Sequence, residues 1–152
     1  MINPRRKKGW ETSLVDFLAA NEKAPFVWGS HDCCRFACLG LVAQGLPDPM
    51  PAKFRRYKTA AGAVGAIRRL GGEGGLDVAA TKLAEAVGLR EIPVAFAGRG
   101  CPVLANLETV TGTIEPHLGL VALDGLVALF KGGPLELIRV PLAACRRAWK
   151  VD

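Results

Sequence analysis

The chain has 152 residues, half of them hydrophobic, with 20 Lys and Arg against 14 Asp and Glu. That length suits one domain, able to bury roughly two thirds of the surface its unfolded chain exposes, and so apolar a composition excludes an intrinsically disordered chain. The net charge of +6 is gathered in clusters (Arg5-Arg6-Lys7-Lys8, Arg55-Arg56 with Lys58, Arg68-Arg69, Arg146-Arg147 with Lys150) that read as solvated faces and a basic N-terminal arm over 1–9, ahead of a single domain over 10–152.

Thr12 or Ser13 is expected to cap a first helix over 12–21, with Leu14, Phe17 and Leu18 on one face and Asp16 completing a partial capping box. Pro25 stops regular helix, and Trp28-Gly29 makes a turn. Asp32 is a favourable N-cap for a second helix over 33–44, closed by Gly45 with Pro47 beyond. A proline-rich connection over 47–51 leads to a third helix over 59–70, terminated by Gly71-Gly72. Gly74-Gly75 reads as a hinge-like linker, and Asp77 as the cap of a fourth helix reaching Val87.

From there the pattern turns from helical to extended, with strands expected over 89–94, 102–107, 116–123, 126–130 and 135–140. Asp124-Gly125 is the strongest hairpin signal, and Gly132-Gly133-Pro134 marks a further turn. A short helix over 141–148, carrying Cys145, is expected to close the chain. Helices first and strands later predict an α+β domain, with N-terminal helices packed on a C-terminal antiparallel sheet of about four or five strands.

Five cysteines, three of them crowded at Cys33, Cys34 and Cys38, do not resemble the spaced framework of a disulfide-bonded domain, so the thiols are expected to be reduced. Holding zinc or an iron-sulfur cluster would require Cys33, Cys34, Cys38, Cys101 and Cys145 to converge. The usual Cys-x-x-Cys knuckle is missing, which argues against a metal, and no cofactor is expected. No apolar segment follows Met1 and no run of ~18 apolar residues occurs, so neither a signal peptide nor a membrane span is expected, with synthesis in the cytoplasm. Gly71-Gly72-Glu73-Gly74-Gly75 lacks the Gly-Lys-Ser/Thr of a phosphate loop. Apart from Phe54 and Tyr57 the basic clusters lack interleaved aromatics, which argues against nucleic acid as a partner.

The chemistry concentrates at Trp28-Gly29-Ser30-His31-Asp32-Cys33-Cys34. Behind an Asp32 cap, Cys33 falls in the first helical turn, where free N–H groups and the positive end of the helix dipole favour a thiolate. The competing reading is a buried structural thiol. Far downstream, His117 is the candidate general base, because a nucleophile on a helix and a base on a strand meet only in the fold; a packed strand histidine is the competing reading. His31 either supports the Cys33 site or sits on the turn.

Trp28-Gly29, Asp32-Cys33 opening a helix, and His117-Leu118-Gly119-Leu120 on a later strand resemble the NlpC-type superfamily of papain-like cell-wall cysteine peptidases. A closing Gly-Leu-Val hairpin and an Arg-Ala-Trp ending at 147–149 resemble its phage and prophage tail-associated branch. The resemblance implies a papain-like fold with Cys33 as nucleophile and His117 as base, supported by Asp32, Cys34 and His31. It implies peptidoglycan as substrate, other tail-tip or hub proteins as partners, and the virion as the place of action. Two positions depart from the pattern: Leu129 stands where a polar residue orients the imidazole, and Gly100-Cys101 replaces Gly-Asp. The alternative is a catalytically degenerate assembly protein of the tail tip with the same fold.

Overall fold

The computed structural model describes residues 5–108, 111–130 and 137–152. Helix α1 (Trp10–Asn21) starts earlier than its sequence signals: Gly9, at φ 76°, turns the chain into it, and neither Thr12 nor Ser13 caps it. Trp10 anchors this end instead, with the Arg6 guanidinium stacked 3.8 Å from its ring centroid. Arg6 and Lys7 also bond through their backbone amides to Asp152 O and Gln44 O, at 2.8 and 2.9 Å. From Arg6 onward the basic segment therefore lies on its own domain.

Helix α2 (Cys33–Ala43) begins where expected, because Asp32 Oδ1 accepts the Arg35 N–H at 2.8 Å and so satisfies a donor that the helix leaves open. It ends at Gly45, φ 101°, where the Leu46 N–H returns to Leu41 O at 3.0 Å. Helix α3 (Ala60–Gly71) is capped by Thr59, whose hydroxyl accepts the Gly62 N–H at 3.0 Å. Helix α4 (Gly75–Ala86) is not capped by Asp77. Gly72 and Gly75, both at φ 59°, wind 72–74 into one 3-10 turn. The expected hinge is thus a tight corner, and Asp77 pairs with Arg146 and Arg147 across the domain.

The strands are β1 (Arg90–Ile92), β2 (Pro102–Glu108), β3 (Ile114–Val121), β4 (Val127–Phe130), β5 (Leu137–Val140) and β6 (Cys145–Lys150). They form one open antiparallel sheet in the order β1-β6-β2-β3-β4-β5. The α+β class holds, with six strands where about four or five were expected. The turn expected at Gly132-Gly133-Pro134 lies outside the described residues. The closing helix expected over 141–148 is corrected: only Leu142–Ala144 makes a 3-10 turn, and Cys145–Lys150 is a strand. Pro141 followed by Leu-Ala-Ala imitates a helix start. Beyond it, Cys145 and Ala148 pack with the β2 and β4 residues Val103, Val127 and Leu129, while Trp149 and Val151 pack toward α2 and α4. The break in alternation is a bulge, where Arg146 is the extra residue as Leu104 pairs with Arg147 and Ala105 with Cys145.

The helices cover one face of the sheet through clusters built on Phe36, Cys38, Leu41, Leu104, Leu118 and Leu120. Gly40 allows α2 to lie close on β3, since a Cβ there would stand 1.9 Å from Leu120 Cδ1. Among the described residues no helix is long and apolar enough to cross a membrane.

Three ion-paired carboxylates make the fold acid-sensitive. Burial pushes the Asp48 carboxyl up, but hydrogen bonds from Arg35 and the Met50 N–H outweigh it and hold the group below its ordinary range. Arg146 does the same for Asp77 and Arg147 for Glu91. A carboxylate depressed by folding contributes stability above its unfolded value of about 4, and that contribution is lost as pH falls through the folded value. Urea midpoints are therefore expected to stay level from neutral pH to about 5 and fall below about 4. A midpoint still level at pH 3 would contradict these pairings.

Candidate active site

Cys33 is the first residue of α2 and is half-buried. The neighbouring Cys34 thiol foremost, with the backbone N–H groups of Leu118 and Cys34, holds the Cys33 thiol below its ordinary range, against the opposing effects of burial and of the Asp32 carboxylate. Cys34, beside that thiol and buried, is pushed far up, and burial raises Cys38 to about 12. The two adjacent thiols are thus shifted in opposite directions, Cys33 down and Cys34 up. The Arg35 N–H is held by Asp32 Oδ1 and the Phe36 N–H by Asp32 O. Of the first four amides of α2, that of Cys33 is the one without an acceptor among the described residues, which leaves it available to a developing oxyanion.

Cys33 packs against the cluster that holds Leu118 of β3, the residue after His117. Cys33 and His117 line one cleft of about 1080 Å³. Its walls are Phe26, Trp28 and Phe130 on one side and the α3 face Ala60, Ala63, Val64 and Ile67 on the other, with Arg68, Glu73 and Glu115 as charged members. The aromatic side is self-supporting: Phe26 meets Trp28 edge-on at 4.7 Å and Phe130 at 6.5 Å.

His117 is 8% exposed. Its Nδ1 lies 3.1 Å from Glu115 O. A carbonyl only accepts, so Nδ1 carries the proton and Nε2 is left bare, the tautomer a general base requires. The sequence pattern looks to position 129 for this orienting group, but Leu129 is fully buried in the apolar cluster with Val103, Val127 and Cys145. The main chain of β3 itself supplies the acceptor. Among the described residues no hydrogen bond joins Cys33 Sγ directly to His117; catalytic pairs commonly close only around substrate.

The other expected site residues divide. Asp32 is the cap, and Cys34 backs Cys33. His31 closes the turn at Trp28-Gly29 through its N–H to Val27 O at 2.7 Å, and its ring packs edge-on against Phe130 at 6.3 Å without lining the cleft. The five cysteines do not converge: Cys34 and Cys38 lie under the helices, whereas Cys101 and Cys145 lie in the cluster on the other face of the sheet. Among the described residues no three His, Cys, Asp or Glu side chains group to hold a metal.

Sequence reasoning missed three contributors. One is Tyr57, whose hydroxyl reaches Asp32. The second is the Ala60-Ala63-Val64-Ile67 face, whose helical spacing is visible but reads as core. The third is the Glu115 carbonyl, which no side-chain pattern can signal.

No curated protein and no solved structure matches the chain. One family model does, described as a domain of unknown function (DUF6950) and matching residues 5–151; the chain belongs to that family.

Proposed function

We propose that this cleft is the active site of a cysteine hydrolase that cleaves an amide bond of a peptidoglycan stem peptide, acting at a phage tail tip during cell-wall penetration. One observation carries the chemistry: a helix-start thiol held below its ordinary range shares a cleft with a histidine whose Nδ1 is committed to a carbonyl. The wall chemistry, the tail-tip setting and the neighbouring tail proteins as partners rest on the resemblance of Trp28-Gly29, Asp32-Cys33 and His117-Leu118-Gly119 to the NlpC-type peptidases.

In this reaction His117 Nε2 takes the Cys33 proton and the sulfur attacks the carbonyl carbon. The oxyanion forms at the N-terminus of α2, beside the Cys33 N–H. His117 returns its proton to the amine as the C–N bond breaks, leaving a thioester on Cys33. Water, deprotonated by His117, then attacks the thioester, releases the carboxylic acid and restores the thiol. A neutral carbonyl behind the imidazole fixes its tautomer but stabilises the imidazolium less than a carboxylate does, so a slow enzyme is expected.

A second reading, an assembly protein of the tail tip without catalysis, is favoured by the burial of Leu129 in the apolar cluster. Muropeptides incubated with the full-length protein and followed for new amines, with acid quench and mass spectrometry of the Cys33 peptide, separate the two. Amine release with an acyl adduct on Cys33 is the expected result. Neither product over a range of stem peptides would leave the assembly reading.

A further inference from the structure

Asp32 does two things that conflict. As the N-cap it accepts the Arg35 N–H although it is only 2% exposed, and its charge one residue before the nucleophile opposes formation of a thiolate there. The conflict is eased by donors. Oδ1 accepts the Arg35 N–H, and Oδ2 accepts both the Gly29 N–H at 2.8 Å and the Tyr57 hydroxyl at 2.6 Å. Two of these donors are main-chain amides that come with the turn and the helix, and the third is a side chain reaching in from the segment before α3. That segment is interlocked with the turn: Gly29, φ 83°, has no room for a Cβ, which would stand 2.1 Å from Tyr57 O.

We propose that Tyr57 is a positioning residue for the Cys33 nucleophile, acting through Asp32: its hydroxyl fixes the carboxylate in capping geometry and draws its charge onto Oδ2, away from a thiolate. This rests on the reading of Cys33 as nucleophile. The charged and titratable groups around Cys33 are Asp32 and Cys34 on α2, Tyr57 before α3, Arg68 and Glu73 from α3 and its closing turn, and Glu115 and His117 on β3. Of these, Tyr57 is the one whose side chain bonds the Asp32 carboxylate.

The test is the pH dependence of Cys33 alkylation by iodoacetamide in the full chain, read at Cys33 by peptide mass spectrometry. Tyr57→Phe is expected to move the midpoint up by about half to one pH unit, slowing alkylation about three- to tenfold below the midpoint. Asp32→Asn, which keeps a capping oxygen, moves the midpoint down, and in that background Tyr57→Phe has no further effect. Tyr57 is the chain's single tyrosine, so global incorporation of 3-fluorotyrosine strengthens this one donor without removing it and lowers the midpoint. An unmoved midpoint in both replacements, an equal shift in the Asp32→Asn background, or a Cys33 whose alkylation does not vary with pH overturns the proposal. Hydrolysis is not part of the readout, so a protein that titrates as described yet releases no amine loses only the hydrolase reading.

Discussion

Replacing Cys33 with alanine is expected to reduce muropeptide hydrolysis by on the order of 10⁴-fold or more, with the fold intact. The sulfur is the atom that bonds to the substrate, and its neighbour cannot take over: Cys34 is buried and its thiol is pushed far up. The side chain stands at the first position of α2, where alanine leaves the Asp32 cap untouched, so the thermal midpoint should move little. His117→Ala should cost nearly as much as the cysteine change, and the double variant little more than either alone, because the two act as one unit. Hydrolysis by Cys33→Ala within tenfold of the unaltered protein would place the chemistry elsewhere.

The largest stability effect is expected at Arg35. Its guanidinium is 8% exposed and meets Asp48 through two hydrogen bonds, 3.2 and 2.9 Å, pinning the loop after α2 to the helix. Asp48 also accepts the Met50 N–H at 3.0 Å, and Arg55 approaches it at 3.5 Å. Truncating Arg35 to alanine removes two of that carboxylate's donors while the Met50 N–H and Arg55 remain, so for this partly buried pair the low end of the range for breaking a pair from one side, about 3 kcal/mol, applies. For a domain of this size that is a fall of roughly 6–12 °C in thermal midpoint. Replacing both partners with apolar residues of similar volume should recover much of the loss, since the penalty lies in the stranded charge. Calorimetry showing a drop under 2 °C for Arg35→Ala would mean that the pair contributes little.

Local chemistry was legible wherever one residue decides the outcome. Asp32 before an apolar run and Gly45 after it bounded α2, and Thr59 with Gly71-Gly72 bounded α3, because caps and glycine stops act over a few residues. The end of the chain was misread because Pro141-Leu-Ala-Ala favours a helix locally, whereas the state of 145–150 is decided by β2 and β1, strands roughly forty and fifty-five residues earlier. The bulge at Arg146 also hides the period-two pattern that would have signalled a strand. At the site, Cys33 and His117 were visible as residue types. The partner of His117 was not, since a carbonyl is carried by every residue and only the fold selects Glu115. Tyr57 was passed over as an aromatic among basic residues, its reach to Asp32 being a contact across twenty-five positions.

The place of β6 between β1 and β2 governs when this chain can finish folding. On the ribosome, residues 33–43 and most of the sheet emerge well before 145–150, so until the last strand arrives β2 has one open edge and β1 no neighbour at all. Closing that gap joins segments roughly forty and fifty-five residues apart, an entropically costly step that leaves backbone donors and acceptors available to other chains meanwhile. Chaperone dependence and aggregation of nascent chains should accordingly peak before residues 145–150 emerge.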